Sequence, residues 1–382
     1  MLRSITPTLH RLDHGLGRLR ARRSVVVEIR TPVCAAILGP VVDRLEADPA
    51  VDVWYTSEYP DRIVSLVPGG RLLRHAEVEW RRFDLYINAD PWAAARLRRC
   101  AHRINFFHGV AGKYDLDRPE GLPMGFDVYD RVAFINRDRM QRYLAARIVT
   151  QAQAALVGYP KLDRLAQGIW NAKDVRRSLA LDPVRPTALY APTYSEASSL
   201  HVAGEAIVRA LADAGFSVIV KLHDRSLDAD PRYTGGIDWR RRFAALERPG
   251  RICHVEQPDA SPLLSAADIM VTDHSSIGFE YLVLNRPLFV FDTPDLPRAA
   301  RINPEKVALL RSAATVVRTP EELADETSRV LATPDALAEE RRRVASEMFH
   351  DPGGATARAL GLVSDLLKPL RAVQPIGVSE AS

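Results

Sequence analysis

The stretch Ile269-Met-Val-Thr-Asp-His-Ser-Ser-Ile-Gly-Phe-Glu-Tyr-Leu-Val-Leu284 runs from a short apolar segment through a polar turn into a helix-length apolar segment. This predicts a buried strand over Ile269–Thr272 and a helix over Ile277–Leu284. In open α/β sheets a ligand sits at the carboxyl ends of the strands, where this turn lies. Ser275 and Ser276 would stand beside free N–H groups at the positive end of a helix, a ready anion site. The plainer reading is that Ser276 only caps the helix. With Ser276 as cap, the capping-box position falls on Phe279, so Glu280 has no capping duty. Four residues on, Glu280 shares a helix face with Ser276 and could accept both hydroxyls of a ribose. Asp273, His274 and Ser275 are consecutive and cannot converge as a hydrolytic triad.

The same alternation of apolar run and helix-length segment extends in both directions. Runs begin at Ser24–Ile29 and recur at Val51–Tyr55, Leu85–Asn88, Ile104–Phe107, Val132–Ile135 and Ala155–Val157. After the Pro-rich stretch Leu181-Asp-Pro-Val-Arg-Pro186 a second series follows at Thr187–Ala191, Ser217–Lys221, Ile252–Val255, Ile269–Thr272 and Pro287–Phe291. Such alternation argues for parallel sheets covered by helices on both faces. The expectation is an α/β chain of two doubly wound, Rossmann-like domains facing a cleft. Its divisions are 1–23, a basic amphipathic segment; 24–183, the first Rossmann-like domain; 184–350, the second; and 351–382, a C-terminal helix and tail.

Three further strand ends carry polar or titratable groups. His108 follows Phe106-Phe107 and precedes Gly109, whose missing side chain would admit a ligand or the facing domain. A histidine at a cleft edge suits a general base for an acceptor hydroxyl, the alternative being a core histidine bonded to a carbonyl. Gly109-Val-Ala-Gly-Lys113 lacks P-loop spacing and has Tyr114 where a magnesium-binding hydroxyl should stand. Thr193 ends the run Leu189-Tyr-Ala-Pro. Lys221, His223 and Arg225 alternate, which in an extended segment puts all three on one side, suited to a pyrophosphate whose charge grows as it leaves. Asp224 and Asp228 could instead pair with them as surface ions. Neither HExxH nor a clustered-carboxylate pattern appears, so no metal is expected.

Composition narrows the classes. With 382 residues, 47% hydrophobic and 26% charged, the chain is globular and long enough for two domains. Lys plus Arg number 52 against 48 Asp plus Glu, so charge gives no support for nucleic-acid binding. Cys34, Cys100 and Cys253 are scattered, which argues against zinc and a disulfide framework and fits a reducing cytoplasm. Near the N-terminus, Leu2, Ile5, Leu9, Leu12, Leu16 and Leu19 recur at helical spacing among arginines, with Thr6 before Pro7 as a candidate cap. That stripe fits either peripheral attachment to the inner face of an anionic membrane or packing on the body.

At these residues the sequence resembles the CDP-glycerol glycerophosphotransferase family, the teichoic-acid polymerase and primase type of GT-B transferase. The matches are Phe107-His-Gly109, Gly158-Tyr-Pro-Lys-Leu-Asp163, Leu189-Tyr-Ala-Pro-Thr193, Lys221-Leu-His223, Thr272-Asp-His-Ser-Ser-Ile-Gly-Phe-Glu-Tyr-Leu-Val-Leu-Asn-Arg-Pro287 and Phe349-His-Asp-Pro-Gly-Gly-Ala-Thr356. The resemblance implies a GT-B fold and direct, metal-independent transfer of a polyol phosphate or glycosyl group, with no added cofactor. The donor would be a nucleotide-activated compound such as CDP-glycerol; the acceptor would be a cell-envelope, capsule or lipid-linked glycan. His108 would be the base and His223 would contact donor phosphates; Thr193, Lys221, Arg225, Ser275 and Ser276 would hold phosphate, and Glu280 the ribose. Gly109 and Asp273 would complete the cleft. Val110-Ala-Gly-Lys113 and Asp224 depart from the family pattern. Rival readings are a nucleotide-sugar 2-epimerase, which shares the architecture, a Kdo-type transferase, and a non-catalytic nucleotide-binding scaffold.

Overall fold

The computed structural model describes residues 22–67, 71–90, 96–121, 125–228 and 230–368, so the N-terminal leucine stripe and its Thr6 cap lie outside the described residues. The strands form two wholly parallel sheets. The first contains β1 (Arg23–Glu28), β2 (Val51–Ser57), β3 (Leu72–Arg74), β4 (Phe83–Asn88), β5 (Cys100–Phe106), β6 (Arg131–Phe134) and β7 (Ala154–Leu156), in the order β3-β2-β1-β4-β5-β6-β7. The second contains β8 (Thr187–Tyr190), β9 (Ser217–Val220), β10 (Ile252–His254), β11 (Ile269–Thr272), β12 (Leu288–Phe291) and β13 (Thr315–Val317), in the order β10-β9-β8-β11-β12-β13.

Val25, Val26 and Val27 are fully buried, as a β-branched run must be when helices cover both faces of a parallel sheet. Each sheet has one switch point where strand order reverses, β1/β4 in the first and β8/β11 in the second. The crevices at these points are where such sheets bind ligands. Strand order thus places the His108 end of β5 next to the first switch point and puts Thr193 and Ser275 at the second.

Two crossings differ from the expected division at 183–184. Helix Ala172–Ser178, assigned from sequence to the first domain, is fastened to the second: Arg176 donates to the Ala266 carbonyl at 2.8 Å and to Asp268 at 2.8 Å. The chain returns at the other end. His350 N–H bonds Ile135 O at 3.0 Å, Phe349 stacks on Tyr159, and helix Ala355–Leu367 packs on the first sheet, its Ala359 and Val363 sharing a core with Ile37 and Val41. Asp163 fixes the return by accepting N–H groups of Gly353 at 2.9 Å and Ala355 at 3.1 Å, which serves as a cap supplied from another segment. Gly158 has φ +91°, and a Cβ there would stand 2.5 Å from the His350 carbonyl. Only glycine fits both demands.

Candidate active site

The loop Gly109–Asp117 leaves β5 and crosses to the second domain. Tyr114 N–H bonds the Ala300 carbonyl at 3.1 Å, and His274 Nε2 meets Ala111 O at 2.9 Å. Ala111 N–H donates to Ser276 Oγ at 3.3 Å, Tyr114 and Tyr194 share a hydroxyl contact, and Lys113 Nζ donates to Thr193 Oγ1. Behind the loop, buried Asp117 pairs with Arg139 at 2.7 Å and accepts from Asn303. The glycine that begins the loop is required for a reason the sequence did not reveal. Gly109 has φ +100°, and a Cβ would lie 2.7 Å from Leu116 Cδ1, so the loop's own return excludes a side chain there.

His108 uses Nδ1 to meet the Ala89 carbonyl. A carbonyl only accepts, so this bond puts the ring proton on Nδ1 and leaves Nε2 with its lone pair. Nε2 has no hydrogen-bond partner among the described residues. Burial holds His108 below the ordinary histidine value, opposed by Asp90, so the ring is neutral near pH 7.

On the other side of the cleft His223 is the complement. Its Nδ1 accepts the Arg225 N–H at 3.1 Å, which leaves Nε2 as a donor. Burial, followed by Lys113, Lys221, Arg225 and Lys161, lowers its pKa to about 3. Four cations from both domains therefore disfavour a charge on this ring and keep it neutral. The segment is not the extended run that alternation suggested, because a 3₁₀ turn begins at Asp224. Lys221 folds inward, onto Leu222 O at 2.7 Å and toward Asp224 at 3.8 Å, while Arg225 bonds Tyr194 OH at 3.2 Å and lies over the rings of Tyr194 and Tyr233. Asp228 pairs instead with Arg62 of the first domain at 3.3 Å.

Lys113 stands in the segment that fails as a P-loop, yet it reaches this cluster from the first domain. No carboxylate lies within salt-bridge range of its ammonium among the described residues. Burial lowers its pKa to about 8, against the pull of Asp273. Lys161 joins from behind: its ammonium meets Glu280 at 2.7 Å, both side chains being under 10% exposed. Burial disfavours the Lys161 charge, but the Glu280 carboxylate outweighs it and raises the pKa.

The helix after β11 starts one residue earlier than expected. Ser275 is its N-cap position and makes no side-chain cap bond, and Ser276 is the first helical residue. Glu280 has no capping role, as anticipated, but its carboxylate already serves Lys161. Asp273 is structural. It accepts from the Thr193 N–H at 3.0 Å, the Ser199 N–H at 3.0 Å and the Ser199 hydroxyl at 3.0 Å, so it shapes the loop carrying Thr193. Among the described residues no group of three or more His, Cys, Asp or Glu side chains could hold a metal, and no helix is long and apolar enough to cross a membrane.

The family model described as CDP-Glycerol:Poly(glycerophosphate) glycerophosphotransferase matches residues 115–364. No curated protein matches the sequence. Among solved structures, the wall teichoic acid polymerase TagF is similar over 96% of this chain and 96% of its own, with 16% identity and a TM-score of 0.66. A TagF variant soaked with CDPG is similar over 94% and 93%, at 15% identity and TM-score 0.66. The UDP-GlcNAc 2-epimerase from Neisseria meningitidis, bound to UDP-GlcNAc, is similar over 90% of this chain and 100% of its own, at 11% identity and TM-score 0.58. These likenesses establish the GT-B architecture.

Proposed function

The chain belongs to the CDP-glycerol:poly(glycerophosphate) glycerophosphotransferase family, and from that premise we propose that it transfers glycerol phosphate from CDP-glycerol, or a closely similar donor, to a hydroxyl of a cell-envelope or capsule acceptor. The observation that carries this reading is the cluster of Lys113, Lys161, Lys221 and Arg225 around neutral His223. A pyrophosphate placed there offsets Lys113 and Arg225, whose charges no carboxylate pairs among the described residues, and accepts a hydrogen bond from His223 Nε2. Thr193, Ser275 and Ser276 add hydroxyls, with the ribose next to Glu280.

His108 is the base. The acceptor oxygen bonds to the phosphorus that carries glycerol, and its proton passes to His108 Nε2. The bond from that phosphorus to the bridging oxygen breaks, and CMP leaves with the electron pair. Charge that builds on the leaving phosphate meets the cations, and no covalent enzyme intermediate forms. Lys113 reaches the phosphate site from the same loop that starts at His108, so one segment links base and leaving-group site.

The test is a panel of nucleotide donors, each with and without lipid-linked glycerophosphate acceptors, read as released nucleotide. The expected result is CMP released from CDP-glycerol only when acceptor is present. UDP-N-acetylhexosamine consumed without acceptor would make the chain an epimerase, and release only from a Kdo nucleotide would make it a Kdo transferase.

A further inference from the structure

Residues 300–306 of the second domain hold the loop that carries Lys113, and one side chain among them has two duties. Asn303 is the N-cap of helix Pro304–Ser312, where its Oδ1 accepts the Glu305 N–H at 3.1 Å. Its Nδ2 donates to Asp117 Oδ2 at 3.4 Å, and its backbone N–H donates to the Gly112 carbonyl at 2.9 Å. Capping alone does not require an amide, because Ser and Asp cap as well. Asp would set a second carboxylate against Asp117, and Ser offers a single oxygen, which the cap uses.

Asp117 is the other jaw of a clamp on Gly112. Its Oδ1 accepts Arg139 Nε at 3.0 Å and Nη2 at 2.7 Å, from a fully buried guanidinium, so the carboxylate is held in place. Its Oδ2 faces Asn303 and Gly112. Gly112 has φ +64°, and a Cβ there would stand 2.5 Å from Asp117 Oδ2 and 2.9 Å from Lys306 Cγ. Backbone therefore packs directly on the carboxylate, one residue before Lys113.

The two residues after Lys113 take a shape that the second domain imposes. Tyr114 has φ 55° and Asp115 φ 61°, a left-handed pair that costs roughly 1–2 kcal/mol per residue for side chains with a Cβ. Their N–H groups donate to the carbonyls of Ala300 at 3.1 Å and Arg301 at 3.4 Å. Lys113 thus lies between a clamped glycine and a strained pair, all fastened to residues 300–303, and from there its ammonium reaches Thr193 Oγ1.

We propose that Asn303 is a positioning residue: by holding Asp117 and Gly112 it fixes the loop so that the Lys113 ammonium ends inside the cleft, on Thr193. What the ammonium does there rests on the proposed function. The test uses the full chain with lysine isotopically labelled at Cε, whose resonance follows protonation of the ammonium. Lys113 is one of six lysines and is identified by the signal that Lys113→Arg removes. The titratable and charged groups facing it are Asp273, His223, His274 and Tyr194. Two variants keep a helix cap: Asn303→Ser deletes the donor to Asp117 without adding charge, and Asn303→Asp sets like charges at that contact. Thermal melts report whether each is folded.

In the intact chain Lys113 should titrate at about 8. In both variants its titration should move up toward the ordinary lysine value of 10.5, because the released ammonium regains water. In Asn303→Asp kcat/KM for the proposed reaction should also fall about 10-fold, the worth of a lost bond to a charged group. A moved titration with unchanged turnover supports the positioning role and removes Lys113 from the donor site instead. The proposal is overturned if Lys113 titrates in folded Asn303→Ser as it does in the intact chain: Asn303 is then a helix cap only, and a shift confined to Asn303→Asp is the effect of the added charge.

Discussion

The ammonium of Lys113, in the first domain, ends on the hydroxyl of Thr193, in the second. The contact joins the loop that follows His108, the proposed base, to the loop that carries Thr193, a proposed phosphate contact, and among the described residues no carboxylate neutralises the lysine. In the proposed reaction the donor pyrophosphate takes that neutralising place.

Lys113 has its pKa lowered to about 8, so its charge is present below that pH and is lost above it. kcat/KM, which reports the free enzyme, should therefore decline as pH rises through about 8. Lys113→Arg should carry the alkaline limb well beyond that value, since a guanidinium does not deprotonate there. Lys113→Met should cut turnover at least ~10-fold, by the loss of a charge-assisted bond. An unchanged alkaline limb in Lys113→Arg removes Lys113 from the phosphate site.

His108→Ala should lower kcat by about 10²–10⁴, the usual contribution of a positioned base, with CMP affinity unaltered. The active form is the neutral ring, and burial lowers its pKa. The acid limb of the pH profile should consequently lie below the ordinary histidine value of 6.5. Parallel loss of CMP binding and turnover would place His108 among the binding residues instead.

Ser275→Ala and Ser276→Ala should each weaken CMP binding about 10-fold or more, because a hydrogen bond to a charged phosphate is worth roughly 1.5–3 kcal/mol. Calorimetry decides the matter, and full affinity in both variants defeats the hydroxyl assignment.

Glu280 and Lys161 form a buried pair between domains, and removing one partner strands the other charge. Glu280→Ala should cost about 3–5 kcal/mol of stability. Lys161→Met with Glu280→Leu should recover most of the loss, as paired apolar replacements commonly do. CMP affinity separates structure from recognition: affinity that stays low in the refolded double variant marks a ribose contact, and affinity that returns with stability marks a purely structural pair.

His274, bonded to Ala111 across the cleft and 5% exposed, is held down at about 4 by burial, with Lys113 adding to the effect. Its folded pKa lies below the unfolded value of 6.5, so the unfolded chain takes up a proton first as pH falls. Its stability contribution is full above about 6.5 and is lost between there and about 4, at about 1.4 kcal/mol per pH unit. Thermal melts of the intact chain and His274→Gln across that window should show the steeper decline in the intact chain.

Eleven of the strands were legible as apolar runs in the sequence. The two that were not, Leu72–Arg74 and Thr315–Val317, are three-residue edge strands with only two consecutive apolar residues each, too short to stand out as a run. In the site, His108, Thr193, His223, Ser275 and Ser276 could be found because each follows a buried strand. The roles of Lys113, Lys161 and Asp163 could not, since their partners are 80, 119 and at least 190 residues away. Spacing has no power over such distances. The Gly158–Asp163 and Phe349–Thr356 motifs look unrelated in sequence, yet each is the other's packing partner.

Helix Ala355–Leu367 completes the first domain from the far end of the chain, and this imposes an order on biosynthesis. A ribosome that has made residues 22–170 has produced every strand of the first sheet but not the helix that covers part of it. The second domain, contiguous from helix Ala172–Ser178 to Met348, can close while translation continues. The domain made first therefore reaches its final packing last, after Asp163 receives the N–H groups of residues 353–356. Until then the apolar surface that this helix covers in the finished protein, Ile37 and Val41 among it, remains open to water.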